Sequence, residues 1–245
     1  MKIEKIVKLK SGKYKIYLDI DEILITYDDV ILKNDLLFHK EINENVYLRI
    51  KEESRYYELL NSCIKLISKR LRSEKELKKY LENKTLDIYL IDNIISDLKQ
   101  QKLINDNRFA QAYINDKINM SNNGILKIKN DLYNLGINED IINEEINKLD
   151  IKVDENKLEK IILKKMKMNH KYSNTFLKQK ILNEMINLGY EKNDVIRIFD
   201  KYIYDDKEIY KKEYNKIYNK LKRKYQGSEL EYQVKQKMFS KGFKI

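Results

Sequence analysis

The residue types able to do covalent, redox or metal chemistry are few in this chain, and they stand apart. There are two histidines, His39 and His170, and one cysteine, Cys63. No histidine or cysteine has a partner at metal-ligand spacing, which a zinc or nucleophilic centre would need. Cys63 lies among Leu59, Leu60, Ile64, Leu66 and Ile67, the setting of a buried small hydrophobe. No Gly-x-x-x-x-Gly-Lys stretch is present to cradle a nucleotide phosphate, so neither an ATP site nor any other cofactor is expected. A nuclease centre would have to be assembled from scattered carboxylates such as Asp92, Asp97 and Asp106, and acidic residues on amphipathic helices are ordinarily solvated. Asp19, Asp21 and Glu22 fall where the chain must turn, with no histidine near, and read as turn carboxylates rather than metal ligands. The chain is expected not to be an enzyme.

What remains is charge. Fifty Lys and Arg against 39 Asp and Glu give a formal net charge of +11, which points to an acidic partner, most simply nucleic acid. Only seven of the basic residues are arginine, however, and the chain is heavy in Lys, Ile, Asn and Tyr. Codon usage in an AT-rich genome, spread over solvated helix faces, produces the same excess, and both readings stand open. Hydrophobic residues at 42% support a packed core, while the absence of proline and only six glycines favour long helices with short joints. A lone cysteine excludes an internal disulfide framework and fits a reducing cytoplasm. No apolar run approaches the ~18 residues that span a bilayer. Met1-Lys2-Ile3-Glu4 lacks the pattern of a signal peptide. A cytoplasmic protein with no membrane partner is expected.

The elements that would position these charges fall into two kinds. Residues 1–53 form a β-rich unit, with Ile3–Leu9 and Tyr14–Leu18 as strands around Ser11-Gly12, Glu22–Thr26 as a third, and Asp28–Leu32 as a short capped helix. From residue 54 the pattern is helical and repetitive. Gly136, Gly189 and Gly242 recur every 53 residues. Ile128 and Leu132 before the first glycine become Ile181 and Met185, then Val234 and Met238, and each glycine is followed by an apolar residue: Ile137, Tyr190 or Phe243. A glycine after a helix takes the left-handed conformation, and the next residue folds back as a hydrophobic clasp. An earlier copy lies 51 residues upstream, with Leu77 and Leu81 in frame and Thr85 in place of glycine. The next helix repeats one stripe, Ile91-Ile95-Leu98, Ile142-Ile146-Leu149 and Val195-Phe199-Tyr202. Each copy reads as three helices: 54–103, 104–152, 153–205, and a truncated 206–245. The expected fold is mainly α, with tandem three-helix repeats stacked in an elongated, curved, monomeric array behind a small α+β unit.

The order of several motifs resembles one family. Arg70-Leu71-Arg72-Ser73-Glu74-Lys75-Glu76-Leu77 is similar to the first signature of RecX, the bacterial regulator of the RecA recombinase. Lys102 through Ala110 resembles its second, with Asn105-Asp106 where the family usually has paired aspartates. Gly124 through Leu132 to Gly136-Ile137 resembles the third, and Lys241-Gly242-Phe243 a late repeat. Part of this is structural: Ser73 and Glu76 make a capping box, and Asn105 or Asp106 can cap the next helix. Arg72 and Arg108 are less explained, because positive charge beside a helix start gains nothing from the dipole.

The resemblance implies a non-catalytic protein that binds RecA filaments and suppresses ATP hydrolysis and strand exchange, with single- or double-stranded DNA as a further partner. The alternatives are a nucleic-acid-binding repeat protein without a recombinase partner, and a helical protein–protein scaffold. The repeat frame supplies candidate contacts. Lys78, Lys129 and Lys235 are equivalent and would lie along one side of the array, Lys127 and Lys180 are likewise equivalent, and Arg72 and Arg108 would extend the set. Leu182 breaks the first series in the third copy. With lysine so common, a solvated face yields the same ladder.

Overall fold

Twelve helices and three strands occur among residues 1–149, 151–203 and 205–244, the part of the chain that the computed structural model describes. The fold is mainly α, with one three-stranded antiparallel sheet of order β1-β2-β3 near the N-terminus. The chain divides into two units, Met1–Phe109 and Ala110–Ile245.

In the first unit, β1 (Ile3–Lys8) and β2 (Tyr14–Leu18) form the expected hairpin, and β3 (Ile23–Thr26) pairs with β2. Gly12 stands in the turn at φ 82°, where a side chain would be strained. Alternation along the strands sends Ile16, Leu18 and Leu24 inward. There they pack with Val30 and Ile31 of α1 (Asp28–Lys33) and with Tyr47 and Ile50 of α2 (Glu44–Ile67). Two local expectations need correction. Helix α1 has no side-chain cap, because the residue before it is Tyr27, which makes no capping hydrogen bond. Helix α2 starts at Glu44 and runs through position 54, where the sequence pattern places the onset of helical structure. Asn43 caps it by accepting from the Val46 amide at 2.9 Å, and no glycine or proline interrupts the helix from there to Ile67.

One helix therefore serves two cores. The early residues of α2 face the sheet, and its later Leu59, Leu60 and Cys63 pack with Leu77 and Leu81 of α3 (Glu74–Glu82) and with Ile91, Ile94, Ile95 and Leu98 of α4 (Ile88–Gln100). Each such fully buried aliphatic side chain contributes about 1.5–3 kcal/mol. Burial pushes the Cys63 thiol up to about 11, leaving it protonated and unreactive at neutral pH.

Helix α4 ends in a clasp that carries no glycine. Lys102 sits at φ 55°, its amide donates to the Lys99 carbonyl at 2.9 Å, and the Leu103 amide donates to the Leu98 carbonyl at 2.9 Å. These are the bonds of a Schellman ending, with a lysine where glycine is favoured. Lys102 is exposed, so Lys102→Gly is expected to raise stability by about 1 kcal/mol, because the left-handed strain of a Cβ is removed without loss of a contact. An unchanged or lower urea midpoint would contradict this account.

In the second unit, α6 (Ile125–Asn134), α9 (Asn174–Asn187) and α12 (Gly227–Phe239) each end in an expected glycine clasp. Gly136, Gly189 and Gly242 have φ of 83°, 85° and 81°. The amides of Ile137, Tyr190 and Phe243 donate back to Leu132, Met185 and Met238 at 3.1, 3.0 and 3.2 Å, and all three side chains are buried. Helices α5 (Asp106–Met120), α8 (Ile151–Met168) and α11 (Lys207–Leu221) precede them in sequence, with α7 (Glu139–Asn147) and α10 (Lys192–Asp200) as the further members. Leu158, Ile162, Leu177, Ile181, Met185, Tyr190, Val195 and Phe199 make one core, and Ile217, Leu221, Leu230, Val234, Met238 and Phe243 another. The apolar stripe fades at its last member, since Tyr202 is exposed and donates its hydroxyl to Glu159 at 2.6 Å.

Candidate functional site

The side chains singled out by spacing divide by how their charge is answered. At the start of α3 the capping box is complete: the Ser73 hydroxyl accepts from the Glu76 amide, and the Ser73 amide donates to the Glu76 carboxylate, both at 3.2 Å. Arg70 and Arg72 close on that same carboxylate, at 2.5 and 3.3 Å. Burial alone would raise the Glu76 carboxyl, but hydrogen bonds from Arg70 and the Ser73 amide, with the charges of both arginines, hold it below its ordinary value. Arg72 thus has a structural task that sequence reasoning missed: it steadies the glutamate of the cap. Lys78 is likewise answered, by Glu74 at 3.2 Å and Asp92 at 3.6 Å, and Glu74 also takes Lys99 at 2.6 Å.

The other candidates meet no carboxylate among the described residues. Arg108 is exposed on α5, and its amide donates to the cap residue Asn105 at 2.9 Å. Lys127 and Lys129 flank the buried Ile128 on α6, and Lys129 donates to the Asn143 side chain at 3.1 Å. Lys180 on α9 lies 5.1 Å from the centre of the Tyr172 ring and donates to Asn169 at 3.2 Å. Lys235 on α12 is exposed. Charge that no carboxylate among the described residues answers therefore sits on α5, α6, α9 and α12, while Arg72, just before α3, and Lys78, on it, are largely neutralised in place.

A further pattern lies at the helix starts, whose free amides are the usual seat of phosphates. At α3, α6 and α9 these amides are occupied by the protein itself. Gly124 donates to the Leu188 carbonyl at 2.7 Å, and Leu126 to the Gly189 carbonyl at 3.1 Å, so the clasp ending α9 caps α6. The clasp ending α12 meets the cap residue of α9: Ser173 accepts from the Phe176 amide at 3.2 Å, while its own amide donates to the Lys241 carbonyl at 3.0 Å and its hydroxyl to the Gly242 carbonyl at 2.8 Å. Asp206 accepts from the Asn174 amide at 3.0 Å, and Asp106 accepts from the Glu74 amide at 3.1 Å, each across 32 residues. Asn105, not Asp106, is therefore the local cap of α5. The pair Asp205-Asp206, placed before the last repeat as Asn105-Asp106 is before the second, was the available signal.

The carboxylates that a nuclease centre would need go separate ways. Asp92 meets Lys78, Asp97 accepts from the Tyr56 hydroxyl, and Asp106 holds the Glu74 amide. Among the described residues no three His, Cys, Asp or Glu side chains are grouped so as to hold a metal ion. A hollow of about 820 Å³ in the first unit is lined by Lys33, Lys51 and Arg55 but also by Glu52, Glu53, Asp87 and Asp97, so its formal charge does not favour an anion. No helix among the described residues is long and apolar enough to cross a membrane.

Comparison with known proteins gives one answer. Residues 105–145 match a model of the second three-helix domain of RecX. The chain is 32% identical to a regulatory protein RecX of Listeria welshimeri over 78% of its own length and 71% of that relative. It is 28% identical to one of Streptococcus sanguinis over 99% of its own length and 95% of that relative. A crystal structure of a regulatory protein RecX shares the fold, with a TM-score of 0.66 at 23% identity over 81% of this chain and 98% of the other.

Proposed function

This chain belongs to the RecX family, and from that membership we propose that it is a non-catalytic regulator that binds the RecA recombinase filament, and DNA with it, and lowers ATP hydrolysis and strand exchange. The observation that carries the reading is the shared sequence over most of both chains with a relative named a regulatory protein. The distribution of charge supports it. Arg108, Lys127, Lys129, Lys180 and Lys235 belong to successive helical copies and keep charge that no carboxylate answers among the described residues. Contacts that are individually weak gain strength when several copies engage one repeating partner. Acting as a monomer, the protein would recruit no second chain to complete a site.

The test is DNA-dependent ATP hydrolysis by the recombinase of the same host, with this protein added at concentrations too low to coat bare DNA. Hydrolysis should fall. Hydrolysis that declines only when the DNA itself is saturated would instead mark a nucleic-acid-binding protein with no recombinase partner. No effect at any concentration would leave a helical scaffold.

A further inference from the structure

The N-terminal sheet has one face in its core and one in solvent, and the two differ in chemistry. Register places Lys5, Tyr17 and Ile23 in one cross-strand row and Val7, Lys15 and Ile25 in the next, and neither row contributes to the core behind the sheet. Ile23 is 48% exposed and Ile25 50%, Lys5 is exposed, and Tyr17 and Lys15 are half-buried. The outer face therefore presents a flat aromatic ring, bordered by aliphatic side chains and by lysines.

The charge of this hairpin is unusually one-sided. Its first eighteen residues hold six lysines and a single acid, Glu4. Among the described residues none of the six lysines is in an ion pair, in contrast to Lys33, Lys51 and Lys78, which all are. Lys10 and Lys13 stand beside the turn at Gly12, at the end of the sheet away from Asp19, Asp21 and Glu22. Glu22 is itself engaged by Tyr47 and Lys51. Lys8 and Lys13 lie over the Tyr14 and Tyr27 rings, at 5.5 and 5.1 Å from their centres, and cations of this density that no carboxylate answers fit a polyanion.

We propose that this outer face binds single-stranded nucleic acid, with a base stacked on Tyr17 and the backbone phosphates on Lys5, Lys15 and the lysines of the turn. A single strand is the occupant that uses both features. Its bases expose flat apolar faces that a duplex hides in its stack, and an aromatic platform beside basic side chains takes any base. A duplex would use the lysines and leave Tyr17, Ile23 and Ile25 without a role. The inference builds on the nucleic-acid part of the reading above and gives it a surface. Its test contains no recombinase, so its failure and the failure of filament regulation are separate results.

Fluorescence anisotropy of a labelled oligodeoxythymidine with the full chain, over a salt series, is the measurement. Tyr17→Leu keeps apolar bulk without the flat ring and should weaken binding about tenfold, while Tyr17→Phe should bind as the natural protein does. Lys5→Gln with Lys15→Gln should make the dependence of log affinity on log salt shallower by about 1.4. Tyr17→Leu should leave duplex binding unchanged. Thermal melting followed by circular dichroism verifies that each variant folds, and the lysine pair decides the matter alone if Tyr17→Leu does not. The proposal is overturned if both sets of variants bind the oligonucleotide unchanged, or if Tyr17→Leu weakens duplex binding equally. Displacement of the strand by polyglutamate as efficiently as by unlabelled oligonucleotide would also overturn it, in favour of an acidic protein surface.

Discussion

Gly189→Ala should destabilise the protein by about 3 kcal/mol or more. Two independent effects combine. The residue sits at φ 85°, so any side chain carries left-handed strain. A Cβ there would also lie 2.3 Å from the Lys127 amide nitrogen and 2.5 Å from the Lys127 Cβ, and the backbone at the start of α6 is poorly placed to yield. Gly124→Ala meets the same junction from the opposite side, with its Cβ 2.5 Å from the Gly189 carbonyl oxygen. Gly12→Ala is the internal control, since φ is 82° but nothing lies within 4 Å, and it should cost only about 1 kcal/mol. Gly136→Ala should cost at least as much as the control. Urea denaturation of the four variants gives the order, and a Gly189→Ala midpoint no lower than that of Gly12→Ala would refute the close junction.

That comparison marks where the sequence is legible and where it stops. The left-handed glycines were visible because they recur in a fixed frame, each followed by an apolar residue, and their conformation follows from glycine alone. The capping box at Ser73 and Glu76 was visible because both partners lie within one turn. What the glycine carbonyls do next was not visible. The bond from Leu126 to Gly189 joins two backbones, and a peptide carbonyl leaves no mark on residue type. Lys102 shows the converse, a left-handed position filled by a residue that gives no sign of it. The length of α2 was hidden because its two halves face different cores, so no single stripe runs through it.

The candidate surface was legible to the same degree. Equivalence of Lys78, Lys129 and Lys235 can be counted, but whether a lysine keeps its charge depends on its neighbours in space. Asp92, on the next helix, answers Lys78, and no carboxylate among the described residues answers Lys129 or Lys235.

This difference sets the second large effect. Lys129→Glu together with Lys235→Glu should weaken inhibition of the recombinase by about tenfold or more, since reversing two free charges turns attraction to an acidic surface into repulsion. Any salt dependence of duplex DNA binding should become shallower by about 2 in log–log slope. Lys78→Gln should have little effect on either, because Glu74 and Asp92 already compensate that charge; Lys78→Glu would add a third carboxylate to the pair and is the poorer experiment. Helicity should be unchanged, as both substituted lysines flank the buried Ile128 and Val234 instead of joining them. Full inhibition by a well-folded double variant would assign these lysines to ordinary solvated surface.

The direction of capping has a consequence for how the protein is made. Ser173 and the Gly242 carbonyl that its hydroxyl meets are 69 residues apart, with the acceptor the later of the two. The α6 start waits in the same way for Leu188 and Gly189. At about 5–20 residues per second on the ribosome, Ser173 leaves the peptidyl-transferase centre roughly 3–14 s before its acceptor. The starts of α6 and α9 thus gain part of their hydrogen bonding only from a later copy. Closure follows the order of synthesis, one copy behind the chain's growing end: the α6 start is completed when Gly189 is in place, and the α9 start only when Gly242 is.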